Sequence, residues 1–390
     1  MLSDNNQNNK KEIKLNKKEK SFKTIKPKFA VIGAGHGGKA MAAHLALKGF
    51  SVKLYNRTLA KIVPIIKMKG IEVEGEINGF GKLELATDNI SEAIEGSDVI
   101  LVAVPAFAHA SIAERCAPYL KDGQIVLLNP GRTCGALEFI NILRERGNKN
   151  DVTVAEAQTF IYASRGMGPA SVKIFRIKQA IPVGAIPAVK TEKILDIINK
   201  AYPEFISATS VIETSFNNIG AVFHPAITLL NASRIESTMG NFQFYIEGVT
   251  NAVAKVLEAV DKERVEVAYT LRCKNVLSAL DWLTMAYNVV EDNLFDGIHS
   301  NPGYYGIMAP KTINTRYITE DVPMSLVPIS EFGRLFGVNT KTIDSLIELA
   351  NIIFKTDFRK SGRNLTRLRL ENLSLDQIRN VFIDGYPNNL

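Results

Sequence analysis

From residue 28 onward, short apolar runs alternate with stretches whose apolar residues recur at helical spacing. Residues 29–32, 51–55, 98–104 and 124–128 read as strands. Residues 37–48, 59–69 and 107–120 read as helices, the first two stopped by Gly49 and Gly70. The runs at 98–104 and 124–128 are almost unbroken Val, Ile, Leu and Ala, the pattern of strands buried on both faces. Strand–helix–strand alternation of this kind implies a parallel sheet with right-handed crossovers. Segments 171–178 and 180–186 read as two further strands with little between them, which predicts antiparallel additions at one sheet edge. A helix over 191–202 closes this first unit. Beyond about residue 209 the character changes: Phe216, Ile219, Phe223, Ile227 and Leu230 form a helical stripe within 211–234. Further helical stretches follow at 248–272, 276–287, 329–336 and 340–354, around an irregular Gly/Pro-rich segment at 301–310. The expected organisation is a basic tail over 1–27, an α/β domain over 28–209 and a mostly α-helical domain over 210–390.

Composition narrows this picture. A chain of 390 residues exceeds the ~250 that one core usually serves. No apolar run approaches the ~18 residues of a membrane span, so no membrane partner is expected. Residues 1–28 hold nine Lys against Asp4, Glu12 and Glu19, so +6 of the formal +7 charge sits there and the body is close to neutral. The body therefore carries no nucleic-acid signal. The tail has too few apolar residues to offset its chain entropy and is expected to be disordered, either simply solvated or an arm for a polyanion. It lacks Arg and an apolar segment, unlike a transit or secretory signal, which points to a cytoplasmic protein. Cys116, Cys134 and Cys273 show no metal or redox spacing and read as reduced, mostly buried thiols.

The first strand runs directly into Gly33-Ala34-Gly35-His36-Gly37-Gly38, a G-x-G-x-x-G that opens a helix. Gly33 permits the tight turn, Gly35 lets a pyrophosphate approach the backbone, and Gly38 lets helix and strand pack closely. Amides at the helix start, His36 and Gly37 among them, then face the phosphates. With a second strand–helix unit following, the motif predicts a Rossmann-type doubly wound sheet, with extra edge strands, that binds a dinucleotide. Where NAD sites usually place an acid against the ribose, this chain has Asn56-Arg57-Thr58. An Arg beside a hydroxyl suits a 2′-phosphate and favours NADP(H), with NAD(H) the alternative if Arg57 is merely exposed. Val104, Pro105, Ala106 and Asn129 lie at carboxyl ends of parallel strands, where ligands of such sheets bind, although their Pro and Asn content also suits turns.

Five histidines are available for acid/base work: His36, His44, His109, His224 and His299. His224 stands at heptad spacing from Asn217 and Asn231, on a polar line beside the apolar stripe, and Pro225 after it predicts an irregular helix. Spacing alone leaves His224 equally open to a catalytic and a structural role.

The stretch Asn217-Asn218-Ile219-Gly220-Ala221-Val222-Phe223-His224-Pro225 resembles the signature of the octopine/opine dehydrogenase family. Phe242-Gln243-Phe244-Tyr245, Asn301-Pro302-Gly303-Tyr304, Asn314-Thr315-Arg316-Tyr317-Ile318-Thr319-Glu320-Asp321 and Val104-Pro105-Ala106 through His109 extend the resemblance over nearly everything after the tail. Its texture is most similar to bacterial members that make N-(1-carboxyethyl) amino acids. The resemblance implies reductive condensation of a pyruvate-like 2-oxo acid with an L-amino acid, a small or apolar one by texture. It also implies a homodimer. It assigns His224 as acid/base, Asp321 as its partner and Arg316 as the holder of the 2-oxo acid carboxylate, with His109 and Asn217 lining the substrate pocket. The basic tail and the Asn56-Arg57-Thr58 segment depart from the family pattern. Two rival readings remain. One is a ketoacid reductase of the ketopantoate reductase or glycerol-3-phosphate dehydrogenase kind, disfavoured because 215–224 lacks Lys. The other is a nonenzymatic NADP-binding sensor.

Overall fold

Strand β1 (Phe29–Ile32) is buried at every position, because its odd and even residues feed two different cores. The computed structural model describes residues 26–387, so the tail expected over 1–27 lies almost wholly outside the described residues. The other strands are β2 (Val52–Tyr55), β3 (Gly70–Gly75), β4 (Gly79–Lys82), β5 (Leu85–Thr87), β6 (Val99–Val102) and β7 (Ile125–Leu128). β8 (Thr153–Ala157), β9 (Tyr162–Gly168), β10 (Ser171–Ile177), β11 (Ile181–Ile186) and β12 (Phe205–Ser207) complete the set. The main sheet has the order β12-β11-β8-β7-β6-β1-β2-β5. Strands β1, β2 and β5 to β8 are parallel, and numbered among themselves they give the doubly wound order 3-2-1-4-5-6. The strand order reverses between β1 and β6, so a crevice opens above their carboxyl ends.

Side-chain alternation splits the core. Ala30, Ile32, Ile100, Val102, Val126 and Leu128 join one continuous core with the helices of the C-terminal half. Phe29, Val31, Val99, Leu101, Ile125 and Leu127 face the other way, onto helix His36–Leu47 and a second sheet of order β4-β3-β10-β9.

That second sheet corrects one expectation. The strands at 171–177 and 181–186 are not two additions to one edge. β11 does run antiparallel to β8 in the main sheet, with β12 outside it. β10 instead pairs with β9 and, in parallel, with β3, in the small sheet. The reason is steric: Gly81 in β4 lies against the backbone of Ala43, where a Cβ would stand 2.6 Å from Ala43 Cα. The small sheet thereby clamps the helix His36–Leu47, and Lys39 Nζ adds a bond to the Gly168 carbonyl at 2.5 Å.

After β12 the described chain is helical. The expected helix over 211–234 is three helices, Val211–Phe216, Ile219–Leu230 and Ala232–Thr238, broken at Asn217-Asn218 and at Asn231. Pro225 is accommodated inside the middle one. The segment after Gly362 turns back onto the first domain: Asn141 Nδ2 donates to the Leu368 carbonyl (3.0 Å) and to Tyr386 Oη (2.8 Å). All three cysteines are free and buried. Among the described residues no helix is long and apolar enough to cross a membrane.

Candidate active site

The glycine turn sits at the strand-order reversal, and its glycines differ in what surrounds them. Gly33 adopts φ +111°, and a Cβ there would lie 2.7 Å from Val104 Cγ1 and 2.8 Å from the Ala103 carbonyl. At Gly38 a Cβ would fall 1.6 Å from the Gly33 carbonyl oxygen, and at Gly37 it would enter the Phe160 ring. Gly35, the cap of the helix, faces open space. Three glycines thus let the chain close on itself, while the fourth leaves a bare, amide-lined cradle. The cradle fits a pyrophosphate resting on a helix start.

The flanking residues are placed as follows. His36 accepts from the Gly166 amide at Nδ1 (2.6 Å), which requires that nitrogen to be unprotonated. Partial burial and the charges of Lys39, Arg165 and Arg316 all lower its pKa. Asn56 is drawn inward: its Oδ1 accepts from the Ala34 amide at 3.2 Å and its Nδ2 donates to the Thr58 carbonyl at 3.0 Å. Arg57 and Thr58 are exposed, and Arg57 makes no ion pair among the described residues. Val104 packs on Gly33, and Pro105 leads into a turn whose Ala106 amide donates to Glu320 Oε1 at 3.0 Å. Asn129 is buried, with Nδ2 on the Leu127 carbonyl and Oδ1 left without a partner.

Across the crevice, helix Ile219–Leu230 presents His224 to Asp321, with Nδ1 at 2.8 Å from Oδ2. A carboxylate only accepts, so Nδ1 carries the proton and Nε2 is the nitrogen left free. The ring stacks on Tyr317 at 4.3 Å between centroids and 20° between planes, which fixes its orientation. Asp321 is almost wholly buried and lies on a one-turn π-helix, Val322–Leu326, at its leading edge. Its Oδ1 stands 3.3 Å from Arg132 Nη1, an ion pair rather than an aligned hydrogen bond. Arg132 also reaches Glu320 Oε1 at 3.4 Å. Burial opposes the Glu320 carboxylate, yet Arg132, Arg316 and the Ala106 amide prevail and hold its pKa at about 2.

His224 and Arg132 share a cavity of about 170 Å³ with Lys178, Gln158 and Asn217. Its far wall is aromatic: Tyr245 and Tyr304 stack at 4.0 Å, and Phe223 meets both edge-on. Of three anticipated substrate-pocket residues, Asn217 lines this cavity and the other two do not. His109 does not line this cavity. It is fully buried, and Arg363 Nη2 donates to its Nδ1 at 2.9 Å. Burial first, then the Arg363 charge, push its pKa well below the usual imidazole range. Asn217 lines the cavity, but its amide is engaged by the Asn275 carbonyl and the Leu277 amide. Arg316 lies outside the cavity lining, its side chain 57% exposed, with Nε on Glu320 Oε2 at 2.5 Å. Its Nη nitrogens have no partner among the described residues, and its charge is felt at His36 in the glycine turn.

Arg132, Lys178, Glu320 and Arg363 escaped the sequence analysis. Each is a single charge on a loop or helix end with at least one partner distant in the chain, such as Arg132 for Glu320 and Glu138 for Arg363. The left-handed backbone of Arg132 (φ +61°), just after Asn129-Pro130-Gly131, is the nearest thing to a local signal.

A family model for the NAD/NADP octopine/nopaline dehydrogenase α-helical domain matches residues 207–354. One for the NAD-dependent glycerol-3-phosphate dehydrogenase N-terminus matches residues 28–131. An opine dehydrogenase from Arthrobacter sp. (strain 1C) is 41% identical over 354 residues, covering 90% of this chain and 98% of that protein. The fold superposes on octopine dehydrogenase in complex with NADH and agmatine with a TM-score of 0.76 at 22% identity. That match covers 93% of this chain and 99% of the other. NADP+-bound yersinopine dehydrogenase gives a TM-score of 0.69 at 15% identity, covering 92% and 98%.

Proposed function

Because this chain belongs to the opine dehydrogenase family, we propose that it joins a pyruvate-like 2-oxo acid to the amino group of an L-amino acid and reduces the product to an N-(1-carboxyalkyl) amino acid. The chain is a nicotinamide-dependent oxidoreductase of CH–NH bonds. The observation that supports the specific reaction is the His224–Asp321 pair, with Nε2 free, on a cavity between the dinucleotide crevice and an aromatic wall.

Condensation expels the carbonyl oxygen as water and leaves a C=N bond. With both ring nitrogens protonated, His224 donates the Nε2 proton to that oxygen; Asp321 stabilises the imidazolium before the transfer and keeps the proton on Nδ1 afterwards. The glycine turn would hold a dinucleotide whose reduced nicotinamide would supply hydride to the carbon of the protonated C=NH⁺ group, giving CH–NH. Arg316, with both Nη nitrogens free on the glycine-turn side, holds the carboxylate of the 2-oxo acid and so fixes the face it presents. The aromatic wall supports an amino acid with an apolar side chain.

The reaction is tested by mixing the purified chain with NADPH or NADH, pyruvate and single L-amino acids, following cofactor absorbance and product mass. Amine-dependent oxidation with a secondary-amine dicarboxylate as product supports the proposal. Consumption of cofactor by pyruvate alone, with a hydroxy acid formed, would replace it with simple ketoacid reduction.

NADP(H) is the proposed cofactor, with Arg57 as its reader, because Arg57 follows the carboxyl end of β2 as a guanidinium with no ion pair among the described residues, while Asn56 is held by the Ala34 amide. Arg57→Ala should weaken NADPH about tenfold or more relative to NADH, the worth of one charge-assisted contact. An unchanged ratio of the two dissociation constants would remove Arg57 from that role.

The cradle makes a second prediction. Gly35→Val adds atoms only into open space, so the unfolding midpoint should stay within error while dinucleotide binding is lost. Gly38→Ala drives a Cβ into the Gly33 carbonyl and should lower both. Calorimetric unfolding with fluorescence titration of the reduced dinucleotide separates the two, and full binding by Gly35→Val would place the phosphates elsewhere.

A further inference from the structure

We infer that Lys178 is the seat of the amino-acid substrate's α-carboxylate. The inference rests on the condensation proposed above, whose product carries two carboxylates, one on each side of a secondary amine. Two cationic seats are then needed around one cavity.

Charge bookkeeping at the site singles out Lys178. Arg316 is paired with Glu320 through Nε, keeps both Nη nitrogens free, and lies on the glycine-turn side. Arg132 is committed to both Glu320 and Asp321. Lys178 lies between β10 and β11 on the cavity wall, and its ammonium has one neutral partner, the Thr159 hydroxyl at 3.1 Å. Among the described residues it forms no ion pair, and no Asp or Glu lines the cavity. Lys178 is half-buried, and drawing its ammonium partly out of water without a counter-ion costs free energy. Burial, followed by the nearby Arg132 charge, brings the pKa of Lys178 down to about 8. A carboxylate arriving from solution relieves both effects, since it pairs with the ammonium and offsets Arg132. Position decides which carboxylate arrives. The 2-oxo acid carbon must face the hydride donor, so its carboxylate belongs to Arg316 on the crevice side. The amino acid enters beyond His224, where Lys178 faces the same space as the aromatic wall that takes its side chain.

The test compares L-leucine and L-phenylalanine with their carboxamides as amine partners of pyruvate, each expressed per concentration of unprotonated amine. Wild type, Lys178→Met and Lys178→Arg are measured side by side, with reduced-dinucleotide titration as the control for folding. In the wild type the acid should exceed the amide in kcat/KM by roughly 10- to 100-fold, the range for a hydrogen bond to a charged group. Lys178→Met should abolish that preference by raising KM for the amino acid while leaving KM for pyruvate and dinucleotide binding unchanged. Lys178→Arg should restore much of it. An acid-to-amide ratio in Lys178→Met equal to that of the wild type overturns the assignment, as does a rise in the KM of pyruvate instead. Both results presuppose amine-dependent turnover by the wild type, whose absence would overturn the condensation itself.

Discussion

Replacing His224 with Asn is expected to lower kcat by about 10²- to 10⁴-fold, the usual worth of a positioned acid/base, while reduced-dinucleotide binding stays at the wild-type level. Asn preserves most of the geometry: its amide can still donate to Asp321, so the carboxylate is not left bare against Arg132. What it removes is the Nε2 nitrogen, the proposed carrier of the proton. No other imidazole can take over. His36 is bound to the Gly166 amide in the glycine turn, and His44 is buried against Tyr162. His109 sits beneath Arg363, and His299 faces the carbonyls of Phe295 and Ile246 with its two nitrogens. Single-turnover oxidation of bound cofactor with saturating pyruvate and amino acid reads the step directly. A rate within threefold of wild type would show that water or another group delivers the proton.

The glycine turn and the parallel strands were legible because their physics is local. An apolar run followed by G-x-G-x-x-G specifies strand, turn and helix within ten residues, and the observed β1 and helix His36–Leu47 follow it. The small sheet was half legible. β10 shows alternating apolar residues, but β4 is Gly79-Phe80-Gly81-Lys82 and β9 contains Arg165, Gly166 and Gly168, which carry no strand pattern. Those residues form strands because β3 and β10 offer pairing edges and the helix needs a neighbour without a Cβ. The site divides the same way. His224, Asp321 and Arg316 were reachable through family resemblance to contiguous motifs. Lys178 and Arg132 were not, because their meaning comes from charges brought together across the fold: Arg132 and Glu320 are 188 residues apart. His109 misled for the opposite reason, since a motif-adjacent histidine was read as facing the ligand while the C-terminal segment covers it with Arg363.

That covering arginine gives the largest expected effect on stability. Arg363→Met should destabilise the protein by about 3–5 kcal/mol, as breaking a buried pair typically does. Arg363 belongs to the C-terminal half but is inserted wholly into the first domain. Its Nε donates to Glu138 Oε2 at 2.8 Å, and its Nη1 donates to the carbonyls of Gly131 (2.9 Å) and Thr133 (3.0 Å). Its Nη2 reaches the Ala106 carbonyl (3.3 Å) and His109 Nδ1 (2.9 Å). All five donors of the guanidinium are therefore used. Methionine fills part of the volume but leaves Glu138 buried, with Arg367 as its remaining partner. Two strand-end loops would lose their anchor at once: the one carrying Arg132 toward Asp321, and the one carrying Ala106 toward Glu320. Activity should fall with stability, because these loops join the two halves at the crevice. A double-mutant cycle with Glu138→Gln isolates the cause. If the half-paired Glu138 carboxylate dominates, adding Glu138→Gln should recover part of the loss, with a coupling of roughly 0.5–3 kcal/mol. If the loop anchors dominate, the double variant should be as unstable as Arg363→Met and equally impaired. Urea unfolding of the four proteins decides between these, and a single-variant loss below about 1 kcal/mol would show that the buried arginine contributes specificity rather than stability.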